Sequence, residues 1–327
     1  MQAVPDACCW FVVAIFRDHA VPLKPASDSS PKQIRRAYWA WVAVCVSWGT
    51  TFLATRVAIE SIPPFAMAGP RHFVAGIVLG AILWMRGVKL PPLSSWGGHA
   101  LLGLLMIGFG NGCLVWAQQF VPSGVAAVLV SVIPFWMIGV EAFMPNGEAI
   151  RKRQVLGLLL GFGGIVLLTS SSMNDAAPSR QIVLGVIMTQ FSCLGWAIGS
   201  AYAKRHKREE NLFAATAVQI TFGGVILMVV ATITGEWTAV APTSRSLMAV
   251  LYLVVVGTFV GYVCYVYALK HLPVSIVSLY AYVNPVIAVI LGSLLLKERF
   301  TPRMAVAIAI IFVAMLIVRS VDTLRSS

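Results

Sequence analysis

Apolar positions in this chain come in long, nearly unbroken runs. They do not alternate as in a half-buried strand, nor recur every three or four residues as on a surface helix. Ten runs lie at 38–58, 66–85, 98–118, 123–144, 154–171, 181–202, 212–234, 246–268, 273–296 and 302–320. Each holds about 17–25 residues, the length an α-helix needs to cross a hydrocarbon core of ~30 Å. The connections are short, and none could hold a soluble domain. The pattern predicts an all-α integral membrane protein with ten transmembrane helices. Residues 1–37 stand apart. Their apolar stretch CCWFVVAIF (8–16) is too short to span, PASDSSPK follows it, and no signal-peptide pattern is present. They read as a flexible cytoplasmic extension, and residues 321–327 as a short cytoplasmic tail.

The interruptions within the runs repeat. Pro122, Pro134 and Gly110 recur 151 positions later as Pro273, Pro285 and Gly261, while Trp48 and Arg56 recur 148 positions later as Trp196 and Lys204. The chain therefore reads as two five-helix repeats, 38–171 and 181–320. Five is odd, so the second repeat enters the membrane from the opposite face. Such inverted repeats are characteristic of secondary transporters, whose substrate binds near the midplane. Pro134 lies twelve residues after Pro122, and Pro285 twelve after Pro273, about 18 Å deep from opposite faces. Proline breaks the helical ladder, and Asn284 beside Pro285 is costly in lipid. Irregular backbone at that depth is tolerated only against protein or a water-filled cavity. Pro134, Asn284 and Pro285 are therefore expected on the wall of a central pathway, with packed kinks as the alternative.

Composition agrees with a membrane location. With 59% hydrophobic and 11% charged residues and a mean hydropathy of +0.85, the chain cannot cover a soluble surface. The net charge of +12 would suggest nucleic acid, but its distribution reports orientation. Seventeen of the 24 Lys and Arg fall on the side of the N-terminus, five on the other side, and Arg56 and Arg71 within runs. This positive-inside bias places both termini in the cytoplasm and removes the case for a nucleic-acid partner. Of the six cysteines, Cys45, Cys113, Cys193 and Cys264 lie in apolar runs without metal-ligand spacing. They read as buried small hydrophobes, and no metal or cofactor is implied. HExxH, GxSxG and phosphate-loop patterns are absent, which argues against a membrane-embedded enzyme.

Several polar and aromatic residues inside the runs are candidates for substrate contact. Trp48 and Trp196 are each eight residues from a basic residue near a span end, deeper than an interfacial belt. They could stack an aromatic or cationic solute, or pack on nearby glycines. Asn111 and Tyr262 occupy matching places in the third and eighth runs. In the ninth run Ser275, Ser278 and Tyr282 share one helical face, and Tyr280 and Asn284 another. These stripes suit an amphipathic solute or interhelical hydrogen bonds. Arg71, six residues from a span end, could hold a substrate carboxylate, although snorkelling to a carbonyl or headgroup is the more economical reading. No acid falls at a span centre. Glu141 is the deepest and Glu298 closes the ninth run, so Arg71, Glu141 and Glu298 are the candidates for coupling or gating. The GxxxG pairs Gly76/Gly80 and Gly157/Gly161 suit close packing within the monomer better than a homodimer face.

The stretches CVSWGTTFLATRVAIESIPPFAMAGPRHFVAGIVL (45–79) and YLVVVGTFVGYVCYVYALKHLPVSIVSLYAYVNPVIAVILGSLLLKERF (252–300) resemble the EamA-type members of the drug/metabolite transporter superfamily. The resemblance covers about residues 38–320. It implies ten helices in two inverted repeats in a bacterial inner membrane, alternating access, and efflux of small amphipathic metabolites such as amino acids, or of drugs. An uncoupled facilitator or flippase on the same scaffold is the alternative. Family members often close the fourth span with a glycine-glutamate-arginine-like turn. This chain reads NGEAIRKR there, with Glu148 in the acidic place and the basic residues displaced.

Overall fold

A computed structural model describes residues 30–144, 152–171, 180–206, 210–272, 274–277, 279–298 and 300–323. Most of the expected extension, Glu148, Ser278, the side chain of Tyr282 and the last four residues of the tail lie outside the described residues. Among those described, all regular structure is helical. We number the helices α1 Pro31–Ala58, α2 Pro64–Met85, α3 Leu93–Ala117, α4 Ser123–Phe143, α5 Lys152–Ser171, α6 Arg180–Arg205, α7 Leu212–Ile233, α8 Ser244–His271, α9 Tyr280–Leu295 and α10 Pro302–Thr323. Seven of these contain segments long and apolar enough to cross a membrane: α1, α2, α3, α4, α6, α7 and α8. Shorter apolar helices at Gln154–Leu167, Val283–Leu295 and Pro302–Ala314 belong to α5, α9 and α10.

The first helix starts earlier than its apolar run. Residues 31–37, expected in the flexible extension, form its first turns. Ser30 accepts from the Gln33 N–H while the Gln33 side chain accepts from the Ser30 N–H, and Pro31 takes the first helical position. This capping box satisfies orphan amides that a hydropathy pattern does not register.

The main packing pairs are long-range in sequence. α1 lies on α8 and α9, α2 on α7, α3 on α6 and α7, α4 on α6 and α9, and α5 on α10. The five leading helices thus bury their faces chiefly against the five that follow. Close crossings depend on small residues. A methyl group on Gly76 would stand 2.4 Å from Thr221 Oγ1, and one on Gly161 would stand 2.0 Å from the Phe135 ring. One glycine of each GxxxG pair is therefore used inside the chain. Large side chains such as Phe143 at 92% exposure and Ile233 at 79% face outward, an apolar exterior suited to lipid.

Irregular backbone marks matched places. α3 widens into a π-helix over Gly103–Asn111, and α8 does so over Leu253–Val260. The offset of about 150 residues follows the sequence repeat. α4 is interrupted between Val130 and Ile133, with Pro134 in the first turn of its second segment. In α9 the helix runs through Pro285. The change of backbone comes earlier, between a single turn at Val274–Val277 and the start of α9 at Tyr280.

Candidate functional site

Trp48 is the centre of the best-defined polar and aromatic cluster. α1 carries it against the π-helical stretch of α8, where its Nε1–H donates to the Gly257 carbonyl at 3.1 Å. π-bulges displace carbonyls from the regular ladder and are frequent at functional sites. Gly261, one turn further, is required by the close approach, because a methyl group there would stand 2.4 Å from Trp48 Nε1. Around the indole stand Tyr262 at 5.6 Å and Tyr265 and Tyr280 each at 5.0 Å between ring centres. Tyr262 and Tyr280 meet it edge-on, the arrangement that places a positive ring edge against a negative face. At the same junction Thr50 and Tyr252 share a hydrogen bond of 2.6 Å.

Arg71 belongs to this neighbourhood. Snorkelling is not what it does: the residue is only 5% exposed and turns inward from α2 to α8. Its Nε–H donates to Thr258 Oγ1 at 2.8 Å. Nη2 would lie 3.3 Å from a methyl group placed on Gly257, the residue whose carbonyl binds Trp48. Tyr262 interacts electrostatically with the guanidinium and packs on Trp48. Arg71 and Trp48 thus flank one residue of the π-helix. Beside Arg71, His72 is also buried, its Nδ1 2.8 Å from the Ala68 carbonyl.

Asn284 joins the cluster through backbone. In the amide orientation that satisfies it, Nδ2 donates to the Tyr280 and Cys45 carbonyls at 3.1 Å each. It therefore pins α9 to α1, three residues from Trp48. Pro285 borders a separate apolar groove of about 440 Å³ between α4, α9 and α10, lined by Val128, Val286, Val289, Ile290 and Phe312 among others.

The equivalent place in the other repeat holds Trp196. A methyl group on Gly110 would stand 2.9 Å from its Cδ1. Each tryptophan therefore docks on the π-helix-associated glycine of the other half: Trp48 on Gly261, Trp196 on Gly110. Asn111 follows Gly110 and keeps a buried Oδ1 without a hydrogen-bond partner among the described residues. Gln219 donates to Met106 Sδ at 3.5 Å.

The acids sit at the ends of the bundle. Glu141 accepts from both terminal nitrogens of Arg205, at 3.0 and 2.9 Å. Glu298 closes α9 through Lys297, whose φ of 54° turns the chain back. Its carboxylate then accepts from the Ser123 and Gly124 N–H groups at 2.7 and 3.1 Å, capping α4. Sequence reasoning missed the companion, Glu236, which accepts from Phe65 and Ala66 N–H at 2.7 and 2.8 Å and caps α2. Both helix starts follow a proline and lack a side-chain cap of their own, which was the available signal. Burial pushes the Glu236 carboxyl above the usual carboxylate range, partly offset by its two N–H bonds. Tyr265 and Thr258 were also missed as members of the central cluster.

A helical bundle with a membrane-suited exterior, matched π-helices and an aromatic cluster shared between its halves defines the class of an integral membrane transporter. The chain belongs to the EamA-like transporter family, whose model matches twice, over residues 35–170 and 183–320. It is similar to the uncharacterized inner membrane transporter YedA of Escherichia coli K12, 34% identical over 288 residues, 88% of this chain and 92% of that protein. It is 28% identical to PecM of Dickeya dadantii over 286 residues, 87% of this chain and 92% of the relative. A solved crystal structure shares the fold with a TM-score of 0.61 at 22% identity, covering 86% of this chain and 96% of the other.

Proposed function

We propose that this chain is a secondary transporter of the bacterial inner membrane that exports small amphipathic metabolites, such as amino acids and related compounds, or drugs. Its ten spans form two inverted five-helix repeats with both termini cytoplasmic, and transport proceeds by alternating access. One observation carries the reading: Trp48 of the first family match is enclosed by Tyr262, Tyr265 and Tyr280 of the second. Any rocking of one half against the other remodels that cluster. Trp48, Asn111, Pro134, Trp196, Tyr262, Ser278, Tyr282, Asn284 and Pro285 are the residues assigned to the pathway, and Arg71, Glu141 and Glu298 to coupling or gating.

A second reading, an uncoupled facilitator, is favoured by the acids. Each of the five with a described side chain is engaged: Glu60 and Glu141 by arginine, Glu210 by His99, and Glu236 and Glu298 by helix amides. Proton-coupled carriers keep an acid in the membrane interior. The test is to profile metabolites released by overproducing cells, then measure uptake of the released compounds into inside-out vesicles with and without a pH gradient. Accumulation above equilibrium that collapses with the gradient supports coupled export, and equilibration alone supports the facilitator. No compound released above the vector control would remove the transporter reading. Glu141→Gln is expected to leave the gradient dependence unchanged.

A further inference from the structure

Arg71 is a buried cation without a counter-ion among the described residues. Thr258 Oγ1 is its one hydrogen-bond partner among the described residues, and it takes only Nε–H. A guanidinium has five N–H donors, so the four on Nη1 and Nη2 remain. The five acids whose side chains are described are each held elsewhere: Glu60 by Arg245, Glu141 by Arg205, Glu210 by His99, Glu236 by the α2 start and Glu298 by the α4 start. The neighbouring His72 is occupied at Nδ1 by its own helix. Charges inside a membrane are retained where they pair or serve the transport path. A planar fork of unpaired donors matches a carboxylate, which can take two parallel N–H bonds.

The surroundings say what the rest of the molecule would be. Trp48 is hydrogen-bonded to the carbonyl of Gly257, and the guanidinium stands beside the same residue. Tyr262 packs on the indole and interacts electrostatically with the guanidinium, and Tyr265 and Tyr280 complete the wall around the indole. A methyl group on Gly257 would meet both Thr51, three residues after Trp48 on α1, at 2.7 Å and Arg71 Nη2 at 3.3 Å, so the cation and the aromatic cluster share one stretch of the π-helix. We propose that Arg71 and the Trp48–Tyr262–Tyr265–Tyr280 cluster form one binding site for a small organic carboxylate, with Arg71 holding the carboxylate and the rings its apolar or aromatic body. This deepens the transporter reading and rests on it for the route by which the ligand reaches the site. Thr258 is a positioning residue that fixes the plane of the guanidinium through Nε.

The test compares acids with their neutral amides on the full-length protein in nanodiscs, by calorimetry and thermal shift. The probes are benzoate, 3-phenylpropionate and octanoate, each against its amide. The native protein is expected to bind at least one acid ten-fold or more tightly than its amide. Arg71→Gln should bring the pair within about two-fold by weakening the acid alone, and Arg71→Lys should restore part of the difference as a point charge without the fork. Thr258→Val, which leaves the charge in place, should weaken the acid three- to ten-fold and spare the amide. The native comparison needs no variant, so it decides even if Arg71→Gln does not fold. Acids and amides bound alike, or no acid bound, would overturn the inference. So would an Arg71→Gln protein with undiminished preference for the acid. Acid-selective binding in a protein that moves none of the three acids across proteoliposomes would count against the transport reading and leave the site standing.

Discussion

Gly261 has no room for a side chain, and the reason lies 213 positions away in Trp48. Gly261→Ala forces the indole off its hydrogen bond to Gly257 or pushes α8 from α1. Overpacking of this kind costs about 1–3 kcal/mol, seen as a lower melting temperature in detergent. Transport per folded molecule is expected to fall further than the yield of folded protein. Equal losses in the two would make the contact one of packing only. Asn284 presents a different case. Leucine there keeps the bulk but removes the amide that bonds the Tyr280 and Cys45 carbonyls, at about 0.5–1.5 kcal/mol for each hydrogen bond lost. The expected result is an inserted but less stable protein with poor export per folded molecule, followed by size-exclusion profiles after extraction. Normal export by a well-folded Asn284→Leu protein would show that the residue only pins α9 to α1.

At the level of elements, the acids that cap helices carry a pH signature. Glu236 closes the start of α2, and its burial raises the carboxyl above the usual carboxylate range. The folded state therefore holds the proton more tightly than the unfolded chain does. Its contribution to stability is present below the usual carboxylate pKa and is lost as pH rises through the raised value. Against Glu236→Gln, which does not titrate, the native melting temperature should lose ground as pH rises above the usual carboxylate range. A gap that widens in favour of the native protein would mean that the two N–H bonds outweigh desolvation. How far elements were legible follows the same division between local and distant causes. Apolar run length located α2 and α7 to within about two residues, because membrane spanning is a local requirement. The start of α1 was missed because a capping box among Lys32, Arg35 and Arg36 looks polar to a hydropathy reading. The proline spacing pointed to irregular backbone in α4 and α9. In α9 it lies nearly two turns before Pro285, since one proline removes only one ladder bond and the helix runs on. Arg71 could not be placed from its own surroundings, because its direction is set by Thr258, 187 residues away.

Over the whole molecule, the acids that tie one half to the other sit at the two ends. Glu236 caps the start of α2 and Glu298 the start of α4, and in the proposed alternating topology these two starts share one end. There each joins a second-half acid to a first-half helix start. The other end is tied by Glu141–Arg205 and His99–Glu210, both of which also join the halves. Under the proposed topology a tag after Ser327 reports from the cytoplasm, and one inserted near Asp175 reports from outside; a reversed pattern would exchange the two ends. Alternating access requires the ties at one end to loosen while those at the other hold. A carboxylate at a helix start contributes about 0.3–2 kcal/mol, enough for the loss of two to shift a balanced equilibrium several-fold. The measurement uses a protein retaining Cys113 alone, a buried thiol four residues from the end of α3 on the Glu236 side. A membrane-impermeant maleimide applied from outside should label it several-fold faster in Glu236→Gln/Glu298→Gln. Glu141→Gln, acting at the opposite end, should label no faster than the parent. Equal rates in all three proteins would mean that these acids only cap helices, and that the halves are held shut by their packed faces.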